Sequence, residues 1–308
     1  MTEIALRDKF GDLLVEYGKK NKDIIVLDAD LSSSTRTSQF AKSFPDRFFN
    51  MGIAEQNMVG TALGFSISGK IPVVSGFTIF TTGRAWEFIR LACHDNLNVK
   101  IITTHGGIVG EDGSTHHALE DLSLMASLPN LTILIPADDL ELEQMLDYAF
   151  NNEGPIYMRL PRGIFSRIHD IDYVFSDENI DLLKKGNDIC FIGSGYGAIL
   201  AHHSAPLIEK ELNISIKVIN LSKIKPINIE KLLLNIEEVK GIIVIEEHNI
   251  YCGIGSILAR IISEKSPKVM KFIGINDTFV VSGKTSVLLD AYGLNIDNLK
   301  KKVMEILK

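Results

Sequence analysis

The chain has 308 residues, 45% hydrophobic and 23% charged, with a formal net charge of −7. That length accommodates two hydrophobic cores. The acidic balance carries no basic patch of the kind that grips nucleic acid, and no apolar run reaches the length of a membrane span. Three dispersed cysteines, Cys93, Cys190 and Cys252, form no CxxC pair. They read as reduced, mostly buried thiols of a reducing compartment, which makes the cytoplasm the expected location.

The opening MTEIALRDKFGDLLVEYGKK reads as a charged amphipathic helix rather than a signal peptide. Apolar runs then predict strands over Ile24–Leu27, Phe48–Met51, Pro72–Ser75, Val99–Thr104, Thr132–Ile135 and Ile156–Arg159. Helical stretches separate them, which implies parallel pairing. A polar segment, GIFSRIHDIDYVFSDENID, leads to a second series of strands at Ile189–Gly193, Ile216–Asn220, Ile242–Glu246 and Val269–Ile273. The expected fold class is α/β in two domains. Residues 1–165 form the first, 166–181 a linker and 182–308 a smaller second domain.

Within the first series, Glu55 stands in FFNMGIAEQNMVGTALGFSISGKIPVVSGF, a run otherwise apolar, small or amide. An ionised carboxylate buried there needs a specific partner. Two readings follow: a first-turn acid complementing the helix dipole, or a carboxylate awaiting a basic cofactor nitrogen. Phe77 and Phe80 lie just past the next strand, where open α/β sheets place ligands. They are core residues, or ring faces for a planar heterocycle.

The segment HGGIVGEDGSTHHALEDLSLM concentrates His105, Glu111, Asp112, His116 and His117 in a Gly-rich loop. Ser114 or Thr115 is the expected N-cap of a helix opening there. A metal site is one reading of the cluster. A polar substrate site with histidine as hydrogen-bond donor or acid/base is the other. Further on, GSGYGA fits G-x-G-x-x-A, but no acidic residue stands at a second strand end for a ribose. It reads as a tight strand-to-helix turn, as does EEHNIYCGIG.

GIAEQNM, SGFTIF, THGGIVGEDGSTHHALEDLSLM, PNLTILIPAD and IYMRLPRG, in that order and spacing, resemble the transketolases. More narrowly, they resemble the pyrimidine-binding and C-terminal half of that thiamine diphosphate family. Deoxyxylulose-phosphate synthases and the beta subunits of 2-oxoacid dehydrogenases share the architecture, and the GEDGSTHH loop is nearer to transketolase. The Gly-Asp-Gly motif of the family's diphosphate domain is missing. The resemblance therefore implies one subunit of a split, two-subunit transketolase. It moves a two-carbon ketol unit from a ketose, expected to be phosphorylated, to an aldose, as in pentose phosphate metabolism. The alternatives are a beta-type subunit of another thiamine enzyme, or a non-catalytic paralogue.

Residue by residue, the resemblance implies that Glu55 bonds N1′ of the cofactor's pyrimidine and promotes its imino tautomer. Phe80 stacks on that ring, Phe77 completes the pocket, and Asp30 lies near the cofactor at a boundary between subunits. His116 meets the carbonyl region of the donor and Asp112 a substrate hydroxyl. His105, Arg162, Ser34 and Arg7 hold the substrate phosphate, with a solvated helix face as the other reading of Arg7. No metal ligand is expected in this chain. Mg²⁺ and the diphosphate belong to the N-terminal, diphosphate-binding partner subunit. Two copies of this chain, meeting through small-residue helices that include Gly60 and Gly64, form the expected core of a heterotetramer.

Overall fold

The runs IIVLD, IPVVS and IYMRLP are buried almost throughout, as strands are when helices cover both faces of a parallel sheet. The structure, a computed structural model, describes residues 3–175 and 180–308. The chain begins with β1 (Glu3–Ala5), α1 (Leu6–Lys20), β2 (Ile24–Asp28), α2 (Ser32–Thr35), α3 (Ser38–Ser43), β3 (Phe48–Asn50), α4 (Glu55–Ile67) and β4 (Ile71–Ser75). It continues with α5 (Thr78–Arg84), α6 (Trp86–His94), β5 (Lys100–Gly106), α7 (Asp121–Ala126), β6 (Thr132–Leu134), α8 (Asp139–Asn151), β7 (Ile156–Pro161) and β8 (Ile164–Ser166). The second part holds β9 (Asp181–Lys184), β10 (Ile189–Gly193), α9 (Tyr196–Leu212), β11 (Ile216–Asn220), β12 (Lys223–Lys225) and α10 (Ile229–Ile236). It ends with β13 (Gly241–Asn249), α11 (Ile254–Lys265), β14 (Val269–Ile275), α12 (Thr285–Ala291) and α13 (Ile296–Leu307).

A seven-stranded sheet runs β12-β6-β7-β5-β4-β2-β3, parallel except for β12. A five-stranded sheet runs β14-β13-β10-β11-β9, parallel except for β9. Alternate residues of each strand feed opposite faces. Val26, Val73 and Ile102 meet Phe10 and Leu14 of α1 and Leu146 of α8 in one cluster. Leu27, Val74 and Ile101 meet Met58 of α4, Ile89 of α6 and Leu122 of α7 in another. That second cluster runs on into Ile192, Ile219 and Val244 of the second sheet, so the two domains share an apolar core. Phe10 is fully buried, and Phe10→Ala costs roughly 3–5 kcal/mol.

Several expectations change. The first residues pair as β1 with β8 in a small antiparallel ribbon before α1 begins. The expected linker is docked rather than free: His169 is buried, and the Tyr173 hydroxyl donates to Glu141 Oε1 at 2.9 Å. Residues 176–179 of that linker lie outside the described residues. No helix opens at Ser114 or Thr115, and α7 starts at Asp121. Gly107 and Ala118 exchange both backbone hydrogen bonds, which holds the intervening segment as a closed loop. No helix among the described residues is long and apolar enough to cross a membrane.

Candidate active site

Asp30 and Ser34 follow β2, Glu55 follows β3, Phe77 and Phe80 follow β4, His105 lies in the last turn of β5, and Arg162 follows β7. All stand at the carboxyl ends of parallel strands. The chain goes from β2 to β3 on one side and then to β4 on the other. Such a reversal opens the crevice in which α/β sheets bind ligands.

Glu55 is the first residue of α4 and only 4% exposed. Its Oε1 accepts a hydrogen bond from Arg84 Nη1 at 2.8 Å. The guanidinium carbon of Arg84 also lies 4.2 Å from the centre of the Phe80 ring. Arg84 is thus a partner for both residues that the sequence reading missed. One signal for it was available: residues four apart on a helix meet, and Arg84 follows Phe80 by that spacing on α5.

Phe77 stacks on His105 with centroids 3.8 Å apart, and on Phe80 at 6.0 Å. His116 stands edge-on to Phe80 at 5.2 Å and to Phe77 at 6.1 Å. These rings and Glu55 form one wall. Asp30, at φ 64°, lies at its rim and accepts from Asn50 Nδ2 at 3.0 Å. The buried Asp28 beneath it accepts from Leu31 N, Thr35 Oγ1 and Thr37 Oγ1. It thereby pins the segment that carries Asp30 and the half-buried Ser34.

The cationic side of the crevice gathers Arg7, His105 and Arg162. Burial, then the charges of Arg7 and Arg162, pushes the His105 pKa down to about 3. The ring is neutral and pairs with Thr104 Oγ1 at 2.8 Å through Nδ1. Arg7 Nε is buried without a hydrogen-bond acceptor, an orphan donor such as an anion satisfies. Arg162 is already engaged: its Nε lies 3.2 Å from Asp112 Oδ2, and its Nη1 donates to Val109 O at 2.8 Å. Asp112 and Arg162 were expected to serve separate tasks, and they form a pair.

Among the described residues, Glu141, His169 and Asp181 are close enough to share a metal ion, with ligand atoms within 4.8 Å. They are saturated instead. His169 Nδ1 meets Asp138 Oδ2 and its Nε2 meets Asp181 Oδ2, each at 2.8 Å. Burial opposes the ring's charge, but these two carboxylates raise its pKa to about 10. An imidazolium has no lone pair to give a metal. The cluster is a latch between α8, the segment after β8, and β9.

The glycine turns carry no site. A Cβ on Gly193 would stand 2.3 Å from the Gly197 backbone, and one on Gly197 would stand 2.2 Å from Ile245 O. Their role is close packing. The N-terminus of α11 is already capped, since the Glu246 carboxyl accepts from Ile254 N at 2.6 Å and Gly255 N at 3.1 Å.

The family model described as "Transketolase, pyrimidine binding domain" matches residues 2–166, and "Transketolase, C-terminal domain" matches residues 178–299. A "Putative transketolase C-terminal section" of Methanocaldococcus jannaschii is 40% identical over 310 residues, covering 99% of this chain and 96% of the relative. One subunit of an apulose-4-phosphate transketolase from Actinobacillus succinogenes is 34% identical over 285 residues, covering 91% of each. A solved structure described as "Split gene transketolase, inactive beta4 tetramer" superposes with a TM-score of 0.89 at 40% identity, over 99% of both chains. With both domain models matched in order, the chain belongs to the transketolase family and carries its pyrimidine-binding and C-terminal domains, and membership of that family implies thiamine diphosphate.

Proposed function

We propose that this chain is the pyrimidine-binding subunit of a two-subunit transketolase, active in the cytoplasm on an anionic, phosphorylated sugar. Its domains divide in this reading at residues 1–165, 166–181 and 182–308. The observation that carries it is a continuous series of contacts from the buried Glu55 through Arg84, Phe80 and Phe77 to His105, beside the charges of Arg7 and Arg162, with Arg7 Nε an orphan donor. The carboxylate and the face of Phe80 fit an aminopyrimidine. The half-exposed Arg84 that engages them is a contact such a ring can replace. Mg²⁺ and the diphosphate are assigned to an N-terminal-type partner subunit.

Bound thiamine diphosphate supplies the nucleophilic carbon that breaks a ketose C–C bond and passes a two-carbon unit to an aldose. Glu55 holds the pyrimidine nitrogen N1′ by a hydrogen bond, in a setting from which its own burial excludes water. Phe80 and Phe77 orient the ring, and Asp30 lines the boundary between subunits. His116, edge-on to both rings, donates a hydrogen bond to the donor's carbonyl oxygen or takes a proton from its hydroxyl, and Asp112 accepts from a substrate hydroxyl. Arg7, Arg162, Ser34 and the neutral His105 receive the phosphate. An arginine fork bonds two oxygens at once, while His105 contributes a hydrogen bond without charge. The relative named for apulose 4-phosphate, a phosphorylated substrate, supports this reading.

Self-association belongs to the same proposal. Gly64 of α4 has open space where a Cβ would stand, and Ile53 and Ile67 at the two ends of that helix are exposed. This leaves α4 free to meet a second copy in the core of a heterotetramer. The test is reconstitution with a partner chain carrying the Gly-Asp-Gly segment, followed by a ketol-transfer assay on ribose and erythrose phosphates. Transfer by the mixture and by neither chain alone is expected. Transfer to a lipoyl domain, or condensation of pyruvate with glyceraldehyde phosphate, would overturn the assignment in favour of another thiamine enzyme.

A further inference from the structure

The second domain reaches into the candidate site. Glu247 of β13 accepts from Ile108 N at 2.8 Å through Oε1. Ser282 Oγ donates to Glu111 O at 2.9 Å, and Gly283 N donates to Gly110 O at 3.4 Å. Two glycines make the approach possible. Gly107 has φ 79° and a Cβ there would lie 2.4 Å from the Glu247 carboxyl carbon. Gly110 has φ 87° and its Cβ would lie 2.7 Å from Thr285 Oγ1. Any side chain at either position is both strained and obstructed.

His117 is the pivot of this contact. The ring is 4% exposed. Its Nδ1 accepts from Val109 N at 3.0 Å, and its Nε2 lies 3.1 Å from Val281 O. A backbone N–H only donates and a carbonyl only accepts, so the pair of contacts fixes the neutral ring with hydrogen on Nε2. The same residue is held on its other side, where the Val109 carbonyl, in the next peptide unit, accepts from Arg162 Nη1 at 2.8 Å. A continuous chain therefore runs from the second domain through His117 and Val109 to Arg162, and by Arg162 Nε to Asp112. His116, the adjacent residue, faces the Phe77 and Phe80 rings and takes no part in it.

We propose that His117 is a positioning residue for Arg162 and Asp112, and that through it the Val281–Thr285 segment of the second domain sets the affinity for the anionic end of the sugar. The inference rests on the reading of Arg162 as an anion ligand. It adds that the second domain, beyond assembly, shapes the substrate site from a residue that touches no substrate. Truncating His117 leaves the buried Val109 N–H without its acceptor, releases the Val281 carbonyl of the second domain, and frees the Val109 backbone to shift. Glutamine is the conservative replacement, because its amide oxygen accepts and its NH₂ donates.

The experiment uses the reconstituted two-subunit enzyme and a phosphorylated ketose donor, with His117→Ala, His117→Gln, Arg162→Ala and the His117→Ala/Arg162→Ala pair. His117→Ala should raise KM for the phosphorylated donor roughly tenfold, the order expected when a buried N–H loses its acceptor. kcat should change less than about twofold, because the reacting centre is untouched. His117→Gln should restore KM. In the Arg162→Ala background, His117→Ala should add nothing further, since residues in one network are not additive. Fully additive effects, a loss confined to kcat, or failure of His117→Gln to rescue while it folds as the parent does, would each overturn the proposal. An unchanged KM for Arg162→Ala would overturn the anion-site reading and this inference with it. A raised KM for Arg162→Ala with none for His117→Ala would overturn the inference alone.

Discussion

Arg84 Nη1 lies 2.8 Å from Glu55 Oε1 while its guanidinium covers the face of Phe80. A planar, cationic group thus makes the two contacts assigned to the cofactor's pyrimidine ring: a hydrogen bond to the carboxylate and a stack on the phenyl face. This explains how Glu55 tolerates burial in the isolated chain. The counter-ion is half exposed at 49%, so the pair contributes modestly, about 1 kcal/mol or less.

The first prediction follows from the buried carboxylate. Glu55→Gln keeps the shape and removes the charge. In the assembled enzyme it should slow proton exchange at C2 of bound thiamine diphosphate by about 10²–10⁴-fold, the span of acid–base losses. NMR of the C2 proton measures this directly. Exchange at the parent rate would remove Glu55 from the chemistry.

The cationic cluster and His116 should separate kinetically. Arg162→Ala should raise KM for phosphorylated sugars and leave unphosphorylated analogues nearly unchanged, because a charge-assisted contact is lost. His116→Ala should instead lower kcat for both classes by about 10²–10⁴-fold. Steady-state kinetics on matched substrate pairs decides. Equal effects of Arg162→Ala on both classes would make it structural.

The latch at His169 makes stability depend on pH. Burial disfavours the charges of both His169 and Asp138, yet their pairing holds Asp138 at about 2 and His169 at about 10. For His169 the folded value lies above the ordinary 6.5, so its stabilisation is complete below about pH 6.5 and is lost as pH rises through about 10. For Asp138 the folded value lies below 3.8, so its share is present above about pH 4 and is lost as pH falls through about 2. His169→Ala should cost roughly 3–5 kcal/mol at pH 6, since the buried Asp138 and the partly buried Asp181 lose their cation. Urea unfolding at pH 6, 8 and 10 should show that deficit shrinking with pH. A deficit constant across that range would contradict the ionised latch.

Gly107→Ala should destabilise the chain by about 1–3 kcal/mol, the usual cost of overpacking, because the new methyl meets the Glu247 carboxyl. The paired change Gly107→Ala with Glu247→Ala relieves the clash, leaving the backbone strain and the lost acceptor of Ile108 N, and Glu247→Ala alone measures the latter. Thermal melts of the three variants measure the difference. Equal losses with and without Glu247 would place the strain elsewhere.

The parallel strands were legible because IIVL, PVV and IYM are unbroken by charge and lie between helices, and the structure places strands on each. Of the three-residue strands, β3 and β6 fell within predicted runs, while β1, β8 and β12, the segments EIA, IFS and KIK, stand in no apolar run that marks them. β12, the segment KIK, joins the first sheet from the far end of the chain, a pairing set by tertiary contact alone. Glu55 was legible because a lone acid in an apolar run demands an explanation. Its pairing with Arg84 was not legible, because the contact joins α4 to α5 across 29 residues and only the packing of the two helices sets it. The partner of His117 was beyond reach: Val281 lies 164 residues away, and nothing in GEDGSTHH names it.

The central claim is that this chain holds the pyrimidine end of the cofactor while another chain holds the diphosphate and Mg²⁺. Calorimetric titration of thiamine diphosphate with Mg²⁺ into the chain alone, and into the chain mixed with its partner, tests it most directly. Weak or undetectable binding to the chain alone, and tight binding of one cofactor per pair of unlike chains in the mixture, is the predicted result. Tight, Mg²⁺-dependent binding by the isolated chain would contradict the account.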